Sequence, residues 1–472
     1  MGLQLYPPSH ADRRSPSAAC MEAPLDEEDN AMGLLERSDA YWKFLGQCTQ
    51  CGHCVDACSS LTSANMTLGE IARALLAHER AAESREDLAA RILGDGALMQ
   101  AVRGCFFCTS CKNTCFAHND VCDLIYNARV DFQSLGLIER GAWSSVMVDQ
   151  EWDIFTAYRA IHGIGFADLV RHVEREEHAA ETDCAVAFFP GCSLAAYGPD
   201  LTREIFATME ELGGKTTMID HCCGSPLKSA GFFERAEALC DRIADEVALS
   251  GAREIVCVCP GCANAMRSTL GRRGLDVAVS LLPAFLTAHG FTSKRALPEG
   301  TLCLSKSCQD RDGHYLEETC RALGVAANAG AAGAAGGAGA AAGMAGGAGG
   351  ADGTTGTAPG TLGATSGTPG AITIFSGCCG AGGAVSAFDP NRQASQADSK
   401  LSFAPDGATV VTMCPTCTYT YAFRLTSEPR DVANKHYAEL LFESQLDWDA
   451  VFAQLGGMWS GEYGPWLAQV FA

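Results

Sequence analysis

The stretches HCCGSPLKSAG, residues 221–231, and GCCGAGGAVSA, residues 377–387, decide the reading of this chain. Each sets two cysteines side by side, Cys222–Cys223 and Cys378–Cys379, directly ahead of a glycine. Neighbouring residues of a strand point to opposite faces, so adjacent thiols reach one site only where the chain turns. Gly224 and Gly380 permit that turn, because glycine tolerates positive φ and close approach by a bulky group.

The surroundings of the two stretches match. The first copy has a lone Cys192 in FFPGCS, the pair Cys222–Cys223, then Cys259 and Cys262 in CPGC. The second has Cys308 in SKSC, the pair Cys378–Cys379, then Cys414 and Cys417 in CPTC. From the pair's second cysteine to the C-x2-C the steps are 36 and 35 residues; from the lone cysteine to the pair they are 30 and 70. The excess of about 40 lies in the Gly/Ala-rich stretch 326–370, whose only large apolar residues are Met344 and Leu362. Such a segment buries too little surface to offset its ordering entropy and is expected to be a disordered insert.

Each cysteine group follows a strand-like run: AVAFFPGC, TTMIDHCCG and EIVCVCPGC, then TLCLSKSC, AITIFSGCCG and TVVTMCPTC. Helical segments such as PDLTREIFATMEELG and ERAEALCDRIADEVALSG follow several of them. Strand then helix, repeated, implies a parallel sheet, and ligands of such sheets gather beyond the carboxyl ends of the strands. Each repeat is therefore expected to bring five thiols to one edge of its own sheet. Five exceed what one cubane or one zinc needs; a cluster of unusual shape or an exposed reactive iron would use them, with zinc in one repeat as the alternative.

Two further motifs lie upstream. CTQCGHCVDAC places Cys48, Cys51, Cys54 and Cys58 at C-x2-C-x2-C-x3-C, and CFFCTSCKNTC repeats the spacing with Cys105, Cys108, Cys111 and Cys115. Three thiolates at two-residue gaps wrap one cubane, while the fourth points away to a neighbouring cluster. The expected ligand sets are Cys48, Cys51, Cys54 and Cys115 for one [4Fe-4S] cluster and Cys105, Cys108, Cys111 and Cys58 for the other. The intervening LGEIARALLAHERAAESREDLAARILG has apolar residues at three- and four-residue steps and reads as amphipathic helix, which points to a helical rather than a β-type ferredoxin domain. Cys20, Cys122, Cys184, Cys240, Cys257, Cys303 and Cys320 read mostly as small core hydrophobes.

The remaining composition narrows the function classes. Of 472 residues, 34 are Lys or Arg and 56 Asp or Glu, a formal charge of −22, which argues against nucleic acid or an anionic membrane face as the main partner. The 25 cysteines, with no secretory leader in sight, favour metal over disulfides and a cytoplasmic location, peripheral to the inner membrane face only through a partner. The fold class expected is mixed: an N-terminal all-α ferredoxin-type domain followed by two pseudo-symmetric α/β repeats with short parallel sheets. The divisions expected are a flexible arm 1–35, the helical ferredoxin domain 36–135, a helical connector 136–182, the first repeat 183–295, the second repeat 296–440 with its insert 326–370, and an aromatic tail 441–472 that packs on its own body or docks a partner.

These motifs resemble the CCG-domain family of iron–sulfur oxidoreductases. A double-cubane region followed by two CCG repeats looks like the fused catalytic subunit of the membrane-linked heterodisulfide reductase. It is also similar to the iron–sulfur subunits of anaerobic glycerol-3-phosphate dehydrogenase and glycolate oxidase. The resemblance implies that Cys192, Cys222, Cys223, Cys259 and Cys262 hold one non-cubane [4Fe-4S] cluster and Cys308, Cys378, Cys379, Cys414 and Cys417 a second. It implies disulfide cleavage at these catalytic cysteines, electrons from the cubanes, and a flavoprotein or membrane-cytochrome partner. The alternative is a non-catalytic electron conduit for an anaerobic flavin dehydrogenase of the glycerol-3-phosphate, glycolate or lactate type. One departure stands out: the family's Asp-Pro-Cys-His around the second lone cysteine is here Lys306-Ser307-Cys308-Gln309, so a proton donor at that histidine would have to come from elsewhere.

Overall fold

The computed structural model describes residues 33–119, 121–138, 153–172, 184–310, 313–325 and 371–470. The insert expected over 326–370 lies outside them, as do most of the arm 1–35 and most of the connector 136–182.

The N-terminal part is helical throughout, with helices Ser38–Gln47, Ser59–Ala64, Leu68–Ala81, Arg85–Gly94, Gly96–Arg103 and Val121–Ser134. Two one-turn helices, His53–Asp56 and Ser110–Asn113, carry Cys54 and Cys111. The amphipathic run between the two motifs is two helices, not one. Thr67 and Glu70 form a capping box that starts the first, and the Ser84 hydroxyl accepts the Asp87 N–H (3.1 Å) to start the second. Ile71, Leu75, Leu88 and Ile92 are fully buried beneath them, each stabilising the module by about 1.5–3 kcal/mol.

Two four-stranded sheets follow. β1 (Val186–Phe189), β2 (Thr216–Met218), β3 (Glu254–Cys257) and β4 (Ala278–Leu281) lie in the order β2-β1-β3-β4. β5 (Thr301–Lys306), β6 (Ala371–Ser376), β7 (Ala408–Thr412) and β8 (Val432–His436) repeat it as β6-β5-β7-β8. Every pairing is parallel. The internal repeat read from the cysteines is thus a repeat of topology, extended by β4 and β8, which no cysteine marks. Phe188, Ile255 and Val256 of the first sheet share one continuous apolar core with Leu302, Leu304 and Val411 of the second. Helices Trp448–Ser460 and Gly464–Val470 at the C-terminus bury Val451, Met458 and Leu467 against Tyr158 and Tyr197, while Trp459, Tyr463 and Trp466 face outward.

Arg129 joins the three parts. Its guanidinium is fully buried and, among the described residues, donates six hydrogen bonds to five backbone carbonyls, those of Val102, Arg103, Cys105, Ser229 and Gly383. The first three belong to the helical module, Ser229 to the short helix Ser225–Ser229 that follows Cys222–Cys223, and Gly383 to the 3-10 turn Gly382–Ala384 that follows Cys378–Cys379. Gly383 has φ +67°, and a Cβ there would stand 2.0 Å from the Cys105 carbonyl oxygen.

Arg129→Leu should lower the unfolding free energy by at least about 3 kcal/mol, because several buried carbonyls lose their donor together. Gly383→Ala should be comparably damaging. Gly456→Ala, inside a helix with open space at its Cβ position, should be neutral or stabilise by up to about 1 kcal/mol. Anaerobic urea unfolding of the three variants checks the ranking.

Candidate metal centre

The cubane motifs interleave. Thr114 donates to the His53 carbonyl (3.4 Å) and Phe116 meets the His53 ring edge-on (4.8 Å), so the residues flanking Cys115 touch the first motif. Cys58 in turn feels Cys108, and Cys105 and Cys111 feel Cys58. Cys58 therefore sits beside the cysteines of the second motif, while on the other side the neighbours of Cys115 reach His53 of the first. Burial pushes the thiols of Cys54, Cys58, Cys105 and Cys111 up; binding of an iron cluster must remove those protons.

The sheets bring the other ten cysteines together as the strand–helix pattern expects. Cys192 opens the helix after β1, Cys222–Cys223 follow β2, and Cys259 and Cys262 flank Pro260 at the start of the helix after β3. The second copy is the same: Cys308 after β5, Cys378–Cys379 after β6, and Cys414 and Cys417 at the helix start after β7. At both adjacent pairs the turn is made by glycine in the left-handed region, Gly224 at φ +73° and Gly380 at φ +88°.

Beyond that expectation, the two sets form one line. Cys192 contacts Cys222, Cys222 contacts Cys223, Cys223 contacts Cys262, and Cys262 contacts Cys259. Cys259 Sγ then lies 3.5 Å from Cys414 Sγ of the other repeat. Cys414 contacts Cys417, which stands 3.1 Å from Cys379; Cys379 contacts Cys378, and Cys378 contacts both Cys308 and Cys108. The thiol network runs from the second cubane motif through the second repeat into the first. Proton sharing along it sets the acidities: contact with Cys378 pulls Cys108 down to about 6, contact with Cys222 pulls Cys223 down, and contact with Cys259 pulls Cys414 down. The cross-repeat contact and the Cys108–Cys378 contact carry no sequence signal, since both depend on how the modules dock.

A cavity of about 790 Å³ opens beside Cys223, between the helical module and both repeats. Lys228 stands over the rings of Tyr126 (5.1 Å) and Phe233 (5.3 Å), and Arg267 over Tyr315 (5.2 Å), on its walls. Gln309 and His314 line the second-repeat side, and Cys122 and Cys240, read as packing residues, also reach it. Behind Cys222, the Glu246 carboxylate bridges two imidazoles, His221 (2.6 Å) and His172 (3.2 Å). Burial would raise this carboxyl, but hydrogen bonds and charge from the two histidines outweigh it and hold it at about 2. Cys257 and Cys303 are fully buried within β3 and β5, as small core residues.

The donor chemistry fits iron–sulfur clusters. The donors are soft thiols, most of them buried or half-buried, at five per repeat where tetrahedral zinc takes four.

Comparison with known proteins agrees with this geometry. The cysteine-rich domain called CCG matches residues 186–267 and again 370–421. The first match contains all five cysteines of its set; the second contains Cys378, Cys379, Cys414 and Cys417 and begins after Cys308 and the insert. A segment of 103 residues is 30% identical to a protein of Methanothermobacter marburgensis that is one subunit of its fumarate reductase (CoM/CoB), covering 21% of this chain and 21% of that protein. The doubled match, the repeated sheet topology and the convergent thiols show that this chain carries two cysteine-rich CCG domains and is similar, over about a fifth of its length, to a reductase subunit.

Proposed function

We propose that this chain is a heterodisulfide-reductase-like subunit that passes electrons through two cubanes and the second CCG site to the first, where a disulfide is reduced. The reading rests on the ligand sets and domain limits expected from the sequence. The observation that carries it is the unbroken thiol line from Cys108 to Cys223, which ends on the cavity. The reaction balances as RS–SR′ + 2e⁻ + 2H⁺ → RSH + R′SH: the S–S bond breaks, each sulfur gains one electron and one proton, and two thiols leave. Iron–sulfur clusters supply electrons singly at potentials set by their hydrogen bonds and burial.

The chain's own residues do the rest. Lys228 and Arg267 attract a carboxylate or other anionic group on the substrate. Phe107 and Tyr126, stacked at 4.1 Å, form an apolar wall that excludes water. His314, which lines the same cavity and is held by Glu318 (2.6 Å), would give a proton to the departing substrate sulfur there. The relative is named as one subunit of an enzyme, which favours partner subunits here; the reading takes a flavoprotein or membrane cytochrome as the donor and a cytoplasmic site of action. Among the described residues no helix is long and apolar enough to cross a membrane. The second reading is that this chain only conducts electrons for a flavin dehydrogenase partner of the glycerol-3-phosphate, glycolate or lactate type.

Anaerobically prepared protein should hold on the order of 16 irons and matching sulfide per chain, four per cluster, without zinc. Cys379→Ser should reduce this to about 12. The dithionite-reduced protein should be reoxidised by an anionic thiol disulfide, with a change in its EPR signal. About 8 irons, or no reoxidation by any disulfide, would leave the conducting role. Lys228→Ala should raise KM for an anionic disulfide about tenfold, a loss of about 1.4 kcal/mol, with little change for a neutral one.

A further inference from the structure

Among the described residues, the first CCG site has a neighbour of a kind that the second lacks. A carboxylate oxygen of Asp153, the Cys192 sulfur and the Cys222 sulfur all lie within 4.8 Å of one another. This is a fixed carboxylate. Asp153 caps the helix Ile154–Ile161, its Oδ1 accepting both the Thr156 N–H (2.8 Å) and the Thr156 hydroxyl (3.1 Å). That helix packs on the helix Cys192–Tyr197, which Cys192 itself opens, with Tyr158 edge-on to Tyr197 at 5.2 Å. The aromatic contact and the cap together aim the carboxylate at the lone cysteine and the first of the adjacent pair.

The corresponding corner of the second site is formed by Cys308 and Cys378. There the extra group is the thiol of Cys108, from the second cubane motif. The two repeats have the same fold and the same five cysteines, yet the same corner meets an expected ligand of the second cubane in one and a carboxylate with no other cluster to serve in the other. Sulfur donors suit an iron that relays electrons without changing partners. An oxygen donor among thiolates binds iron more weakly and exchanges more readily, which suits an iron whose position an incoming ligand takes.

We propose that Asp153 is an oxygen ligand of the first CCG site, where its carboxylate would bind iron alongside Cys192 and Cys222. The proposal rests on the reading that the five-cysteine sets hold iron–sulfur clusters. It makes the first site the one with an exchangeable position and the second the relay, in keeping with the cavity opening beside Cys223.

The test is Mössbauer spectroscopy and iron analysis of the full-length protein grown on 57Fe, beside Asp153→Asn and Asp153→Glu. The Asn side chain retains an oxygen to cap Thr156, so the helix is expected to persist. The wild type should show one iron in about sixteen with a larger isomer shift than the purely sulfur-bound irons. Asp153→Asn should abolish or move that signal, while Asp153→Glu retains it and the remaining irons are unchanged. A wild type with full iron but without the distinct signal, or a signal unchanged in Asp153→Asn, overturns the ligand assignment alone. A wild type with only about 8 irons overturns the cluster reading and the assignment with it. Where Asp153→Asn loses the cluster, the wild-type spectrum and Asp153→Glu still decide.

Discussion

A single buried guanidinium sets the geometry on which the redox site depends. Arg129 has no solvent exposure, and its described acceptors are carbonyls from the helical module and from the two segments that follow the paired cysteines. Burial lowers its pKa to about 10, partly opposed by the neighbouring Cys105 and Tyr126, so it stays charged at neutral pH. A lysine has three donors on one atom and could not reach carbonyls on three segments at once; the planar fork of arginine can. The positive charge also lies beside Cys105, an expected cluster ligand, where anionic sulfur would otherwise accumulate.

From this anchor the other contacts follow. The loop after Cys378–Cys379 lies so close to the Cys105–Phe106 backbone that Gly382 and Gly383 have no room for a side chain. That approach brings Cys378 to Cys108. The short helix after Cys222–Cys223 is held through Ser229, whose carbonyl accepts from the same Nη1 that donates to the Gly383 carbonyl, so one guanidinium nitrogen ties both repeats. The shared apolar core of the two sheets then aligns their carboxyl edges, and Tyr437 of the second repeat donates to the Val258 carbonyl of the first (3.1 Å). Cys259 and Cys414 meet at that seam. A continuous thiol line therefore needs both the docking of these segments at Arg129 and the packing of sheet on sheet.

Much of this was legible in the sequence, because cysteine spacing is a strict code while packing is not. The repeat, the six strands that precede its cysteines and the helical N-terminal module all follow from residues whose chemistry demands a place. β4 and β8 escaped notice for physical reasons. Ala278–Leu281 runs straight into a helix through Leu282 and Pro283, and VANKH is polar and partly exposed at a sheet edge. The break at Ser84 was hidden by a continuing apolar period on both sides. Arg129 and Asp153 could not be chosen from sequence at all: one is among 34 basic residues and the other among 56 acidic ones, and only tertiary docking gives either its meaning.

On the proposed reading, the duplicated fold gives two equal halves different work. A repeat keeps what the backbone demands, here strand order, turn glycines and ligand spacing. It leaves free what approaches from outside. The first site has gained Asp153 from a separate helix, and the His172–Glu246–His221 bridge stands behind its adjacent cysteines. The second repeat has Gly377 where the first has His221, and it receives Cys108 from the helical module instead. Polar and carboxylate groups gather at the site beside the cavity, while sulfur contacts link the site that faces the cubanes. Such a gradient, soft at the entrance and harder at the far end, is what an electron relay ending in ligand exchange requires, and here it arises from neighbours of the repeats rather than from the repeats themselves.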